Sequence, residues 1–325
     1  MNNTQIQEVD THKHLGITFA NDGTWHKHIE DITKKAWIRI NVLRSLKFTL
    51  DRQSLDTLYK TFIRPTLEYA DIVWDNITQA DEVVLEKIQI EAARIITGAT
   101  RLVSFHNLYK ESSLEILKSR RRQHKLVHFY KTLKSPSVPS YLSNLIPESV
   151  GAVATYGLRN SDHIRNVQFH TQHFASSFLP SSISEWNKLP SSTRSAGSVM
   201  SFKHALNSNK KTVPKFYFEG KRDSAIQHAR LRMHCSSLNE HLFSKNIVES
   251  SACACGEIED TYHYIFTCPL YHTQRSRLLD ALSQITHLDL NTVLFGKDSL
   301  TIDINCLIFK HVQTYITKTK RFNHT

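Results

Sequence analysis

The sequence predicts a mainly α-helical protein that ends in a small α-rich region pinned by a Cys/His cluster. Three observations predict it. Apolar residues recur at three- and four-residue spacing through most of the first 135 positions, which is the signature of helices with one buried stripe. Breaker clusters of Ser and Pro gather in the middle. Near the end, Cys253, Cys255, His263 and Cys268 fall within sixteen residues.

Residues 12–24 read as a short strand followed by a turn. Ile17 and Phe19 alternate with polar neighbours, and Asp22-Gly23 suits a tight turn. A single strand is no domain, so its partner is expected to be missing or elsewhere. From Trp25 the period changes: Ile29, Ile32, Ala36, Ile40 and Leu43 form one helical stripe, with Lys34, Lys35 and Arg39 off it. A second helix is expected over 52–64, with Leu55, Leu58, Tyr59 and Phe62 on one face and Asp51 as N-cap. Pro65 should kink or interrupt the apolar run that continues to Trp74. A third helix spans about 81–96 and is closed by Gly98. A fourth covers 114–133, with Leu117, Leu126, Phe129 and Leu133 inward.

Residues 136–215 read as an ordered but irregular connector. Its Pro/Ser clusters break helices, yet Tyr156, Phe169, Phe174, Phe178 and Trp186 are too many aromatics for a disordered linker. A short helix is expected over 201–206, and Lys210-Lys211 sits in an exposed junction. The last region, 216–325, opens on a helical pattern over 223–242 and closes on a helix from about Ile304 to Ile316, with Asp303 as its cap.

The formal charge is +11, from 41 Lys plus Arg against 30 Asp plus Glu. Such an excess suits a polyanion, because phosphates neutralised by protein cations release counterions. RNA or DNA is therefore the expected partner. No run of eighteen apolar residues exists, so no membrane role is expected, and the N-terminus lacks a signal-peptide core. Five cysteines with three clustered point to an intracellular, reducing compartment, nucleus or cytoplasm, and to metal chemistry, not disulfides.

Three thiolates and one imidazole make the complete donor set of a closed structural Zn2+ site. The spacing is Cys253-x-Cys255, seven residues, His263, four residues, Cys268, and Gly256 permits a tight turn beside the sulfurs. Glu257, Glu259 and Asp260 are placed to orient His263 or cap a helix. With four ligand positions filled, no open position remains for chemistry.

Two basic clusters are candidate phosphate contacts: Lys118, Arg120, Arg121, Arg122 and Lys125, and Arg230 with Arg232. The first is expected on the solvent side of its helix. Arginine suits rigid phosphate contacts, which favours Arg121, Arg122 and Arg230. Tyr130 and Tyr217 are candidate base-stacking rings. No phosphate-cradling Gly loop and no nucleophile elbow occur. Asp71 and Asp75 read as a cap or salt-bridge pair. No catalytic residue is assigned.

In this order the motifs resemble non-LTR retrotransposon reverse transcriptases of the Jockey and CR1 type. Leu15-Gly16-Ile17 with Thr24-Trp25 behind resembles the strand that closes the palm. Tyr59-Lys-Thr-Phe-Ile-Arg64-Pro65-Thr-Leu-Glu68-Tyr69-Ala70-Asp71-Ile-Val-Trp74 resembles the thumb, continued by Leu85 to Gly98. Tyr156-Gly-Leu-Arg159-Asn160, Ser177-Phe-Leu-Pro180 and Trp186-Asn-Lys-Leu-Pro190 resemble the connector. His228-Ala-Arg230-Leu-Arg232 followed by the Cys/His set resembles the terminal zinc knuckle.

The resemblance implies a palm-edge remnant at 1–24, a thumb-like bundle at 25–135, a connector at 136–215 and a zinc-knuckle domain at 216–325. It also implies that the catalytic aspartates and their Mg2+ ions belong to a palm that would precede this chain. The expected function is nucleic-acid binding without polymerase activity. Two alternatives remain: a polymerase half completed by a separate palm-containing subunit, and a structural zinc protein with no nucleic-acid role.

Overall fold

The computed structural model describes residues 8–208, 212–283, 285 and 287–323. Lys210 and Lys211, expected in an exposed junction, lie outside them. The chain is mainly helical, with one two-stranded sheet among the described residues.

That sheet corrects the reading of an orphan strand. β1 (Thr11–His14) and β2 (Ile17–Ala20) pair antiparallel, Thr11 opposite Ala20 and His14 opposite Ile17. The partner lies immediately upstream. The reason is the turn: Leu15 and Gly16 both take positive φ, +46° and +84°, as a type I′ two-residue hairpin turn requires. Gly16 is also crowded, since a Cβ there would stand 3.2 Å from the Tyr69 ring. The Tyr69 hydroxyl donates to the Leu15 carbonyl at 2.9 Å.

The predicted apolar stripe of α1 (His26–Leu46) is buried from Ile29 to Leu43. α2 (Arg52–Leu58) starts on Asp51, whose carboxylate accepts the Ser54 N–H at 2.7 Å. A π-turn over Tyr59–Ile63 leads into α3 (Arg64–Glu68). The π-turn is where the helix accommodates Pro65, which has no N–H to donate. α4 (Asp71–Trp74), α5 (Gln79–Thr97), α6 (Phe105–Ser112) and α7 (Leu117–Lys134) follow.

The chain forms two compact units that do not follow the four sequence segments. One comprises 1–37, 64–87 and 115–210; the other comprises 38–63, 88–114 and 211–325. α1 and α5 each carry residues of both. In the first unit, α8 (Phe178–Asn187) and α9 (Val199–Leu206) bring Trp186 and Phe202 against Phe129 and Tyr130 of α7. Tyr130 and Phe202 stack with centroids 4.5 Å apart. α9 starts on a capping box between Ser198 and Ser201.

In the second unit, the helix expected over 223–242 is broken. α10 (Arg222–Arg232) ends, His234 takes φ +52°, and α11 (Asn239–Phe243) starts afresh. α12 (His272–Leu282), α13 (Leu290–Phe295) and α14 (Ile302–Thr319) complete it around Tyr217, Leu231, Tyr264, Ile308, Phe309 and Val312. α14 is capped by Thr301, whose hydroxyl accepts the Ile304 N–H; Asp303 lies within its first turn instead.

Candidate metal centre and basic surfaces

The four predicted donors converge. One donor atom each from Cys253, Cys255, His263 and Cys268 lies within 4.8 Å of all the others. Local chemistry explains why. The Cys253 N–H donates to the Glu257 carbonyl at 2.7 Å, and Gly256 closes the turn with φ +99°, so two cysteines separated by one residue face the same point. His263–Thr267 is a π-turn, and the Cys268 N–H donates to the His263 carbonyl at 2.8 Å. A π-turn bonds residue i+5 back to residue i, and that bond brings Cys268 back beside His263 across a five-residue step.

The geometry fits zinc. The Cys253 and Cys268 sulfurs are 3.8 Å apart; a tetrahedron with Zn–S of ~2.3 Å has an S···S edge of about 3.8 Å. The His263 Nε2 is 3.2 Å from the Cys255 sulfur, and its Nδ1 is 3.2 Å from the Thr267 hydroxyl. With Nε2 toward the sulfurs, Nδ1–H donates to Thr267 and fixes the ring, the usual support of a ligating histidine. Burial pushes the Cys268 thiol up to about 12, so at neutral pH that sulfur ionises only against a cation. This Cys3His cluster can therefore hold a metal ion, and its donors are compatible with zinc.

Of the expected supporting carboxylates, Asp260 accepts the His263 N–H at 2.6 Å and so caps the π-turn. Glu259 instead receives Arg321 through two nitrogens, each at 2.6 Å. Sequence reasoning missed Thr267 and Arg275, which donates to the Cys268 carbonyl at 2.7 Å. Thr267 was readable as a hydroxyl four residues after the candidate ligand His263; Arg275 had no signal.

The basic helix α7 differs from expectation. Arg121 is 2 % exposed and Lys125 8 %, so the solvent-side placement is corrected for both. Arg121 Nε donates to Asp75 at 3.2 Å, Lys125 to the other Asp75 oxygen at 2.7 Å, and the Arg121 guanidinium lies over Trp74. Arg120 pairs with Glu68, Arg122 with Glu185 at 2.5 Å, and Lys118 with Glu82 at 3.0 Å. Lys131 and Lys134 remain exposed. The signal was present: the period-four row Leu117, Arg121, Lys125, Phe129 passes through two cations, and rows of that period share a face.

Arg232 is also interior. Its guanidinium donates to Glu111 at 2.9 and 2.7 Å and lies 4.1 Å from the Tyr217 ring centroid; Arg52 reaches the same carboxylate at 2.6 Å. Burial alone would push Glu111 up, but Arg232 and Arg52 prevail and hold it below the usual range. Tyr217 is thereby buried under the arginine, and Tyr130 donates its hydroxyl to the Ala196 carbonyl at 2.7 Å. Neither ring is open to a base. Arg230 stands apart: it donates Nε to the Gly98 carbonyl at 2.8 Å and is only partly covered. Asp71 pairs with His124 at 2.6 Å.

No described helix is long and apolar enough to cross a membrane. No family model matches the chain, and no curated protein or solved structure is significantly similar to it.

Proposed function

We propose that the chain is a nucleic-acid-gripping part of a non-LTR retrotransposon reverse transcriptase. In this reading it binds RNA or DNA, carries structural zinc in its tail, works inside the cell and does not polymerise by itself. The observation that carries the reading is the ordered series of motifs from Leu15-Gly16-Ile17 through Trp74, Trp186 and Arg232 to the Cys/His set. The preassembled donor cluster supports its last member. The sequence contains no adjacent pair of aspartates, and two-metal phosphoryl transfer needs clustered carboxylates to hold its ions.

Zinc is assigned a structural role, because four protein ligands leave no position for water or substrate. Phosphate contacts without base readout make binding fall steeply with salt. Filter binding of a radiolabelled oligonucleotide across a salt series tests the reading, paired with primer extension in Mg2+ and nucleotides. Salt-sensitive retention with no extension is expected. Retention that is absent even at low salt, or extension by the purified chain, contradicts it.

A second reading, a structural zinc protein without a nucleic-acid role, is favoured by one observation: six of the seven proposed contact residues, the five on α7 and Arg232, already face carboxylates. Absence of binding in the same titration would select it.

A further inference from the structure

The second unit contains a cleft of about 930 Å³ lined by the ends of α1 and α5 and by α10. Its volume falls within the ~300–1,000 Å³ of ordinary ligand clefts. Six cationic side chains line it, Arg44, Lys47, Arg94, Arg101, Arg222 and Arg230, against two carboxylates, Glu91 and Asp223. Arg44 takes Glu91 at 2.7 Å. Arg101 is exposed and has no ion pair among the described residues.

Two of the arginines prepare the floor. The C-terminus of α5 presents carbonyls and the negative end of a helix dipole, which alone would repel an anion. Arg222 donates to Lys47 O at 2.6 Å and Ile95 O at 2.7 Å, and Arg230 donates to Gly98 O. Their charges cancel that end and leave the cleft cationic. Burial holds both below the usual arginine range, a cost that a bound anion relieves.

At the rim stands Phe48, 82 % exposed, the most exposed large apolar side chain among the described residues. The Lys47 ammonium lies 4.8 Å from its ring centroid. An open aromatic ring beside a groove of cations is the combination by which proteins hold single strands: phosphates on the cations, a base on the ring.

We propose that this cleft binds single-stranded nucleic acid, with backbone phosphates on Arg101, Lys47 and Arg230 and one base stacked on Phe48. The proposal rests on the nucleic-acid reading above and gives it a site. The test uses fluorescence anisotropy of a labelled single-stranded oligonucleotide with the full chain, comparing wild type, Phe48→Ala, Phe48→Trp and Arg101→Glu. All three substitutions are at exposed positions, and thermal melts check that each variant folds.

Phe48→Ala is expected to weaken single-strand binding roughly tenfold, Phe48→Trp to keep it at or above the wild-type level, and Arg101→Glu to weaken it several-fold. Wild-type binding that survives Phe48→Ala and Arg101→Glu overturns the cleft while leaving the broader reading standing. Wild-type protein that binds no oligonucleotide overturns both. Displacement of the oligonucleotide by polyglutamate of equal charge, as readily as by unlabelled oligonucleotide, makes the cleft a general anion groove and overturns the assignment.

Discussion

Helix α7 and the cleft at the end of α5 both gather arginine and lysine, the first within one stretch of helix and the second from stretches near residues 44, 94 and 222, and they differ in where the charge goes. On α7, Lys118, Arg120, Arg121, Arg122 and Lys125 each meet a carboxylate, from Glu82, Glu68, Asp75 or Glu185. In the cleft, cations outnumber carboxylates, and Arg222 and Arg230 turn to main-chain carbonyls. A basic run in a sequence therefore locates charge without saying whether that charge is free. The neutralising partners of Arg120, Arg121 and Lys125 lie about fifty residues away.

The largest expected effect tests whether the tail depends on its donors. Cys268→Ser, or thorough chelation, should remove cooperative unfolding of the C-terminal region, since structural zinc contributes roughly 10–16 kcal/mol in finger peptides. Metal analysis should find one zinc per chain before treatment. A melting curve unchanged after chelation would show the cluster to be merely a thiol-rich core.

Next comes the buried ion group. Glu111→Gln leaves Arg52 and Arg232 facing each other without an anion and should cost about 3–5 kcal/mol in urea unfolding. Because Glu111 is held low when folded, its contribution is present above the ordinary glutamate range and is lost as pH falls through the folded value. A loss below about 1 kcal/mol would place the group in solvent.

His241 gives a smaller, pH-dependent effect. Burial holds it down to about 4, while the Ser236 hydroxyl and Nδ1 lie 2.7 Å apart. The unfolded imidazole takes a proton below about 6.5, so His241 by itself should lower stability by at most ~1.4 kcal/mol per pH unit between about 6.5 and 4. His241→Asn should make the slope shallower by that share, leaving the part due to the buried His228. Equal slopes in the two proteins would remove His241 from the account.

The smallest expected effect is on the exposed side of α7. Arg122→Gln should cost less than about 1 kcal/mol, because its pair with Glu185 is partly solvated.

Much of this molecule was legible in its sequence. The stripe from Ile29 to Leu43, the Asp51 cap and the interruption near Pro65 follow from period, side-chain oxygen and ring chemistry. The four metal donors were readable because their spacing is local and their chemistry has few other uses. The hairpin was misread because its partner, Thr-His-Lys-His, carries no apolar alternation, and Leu15 at positive φ breaks the propensity rule. The fate of Arg121 and Arg232 depends on Asp75 and Glu111, which only the tertiary fold delivers. Phe48 had no local signal: an aromatic beside a lysine looks the same whether it faces core or water.

One measurement bears most directly on the contrast between the two basic regions. It is the slope of log affinity against log salt for a single-stranded oligonucleotide, compared among wild type, Arg101→Gln and Arg122→Gln. Removing one phosphate contact should reduce that slope by about one, so Arg101→Gln should show the reduction and Arg122→Gln should match wild type. The reverse pattern would place the grip on α7 and contradict the assignment.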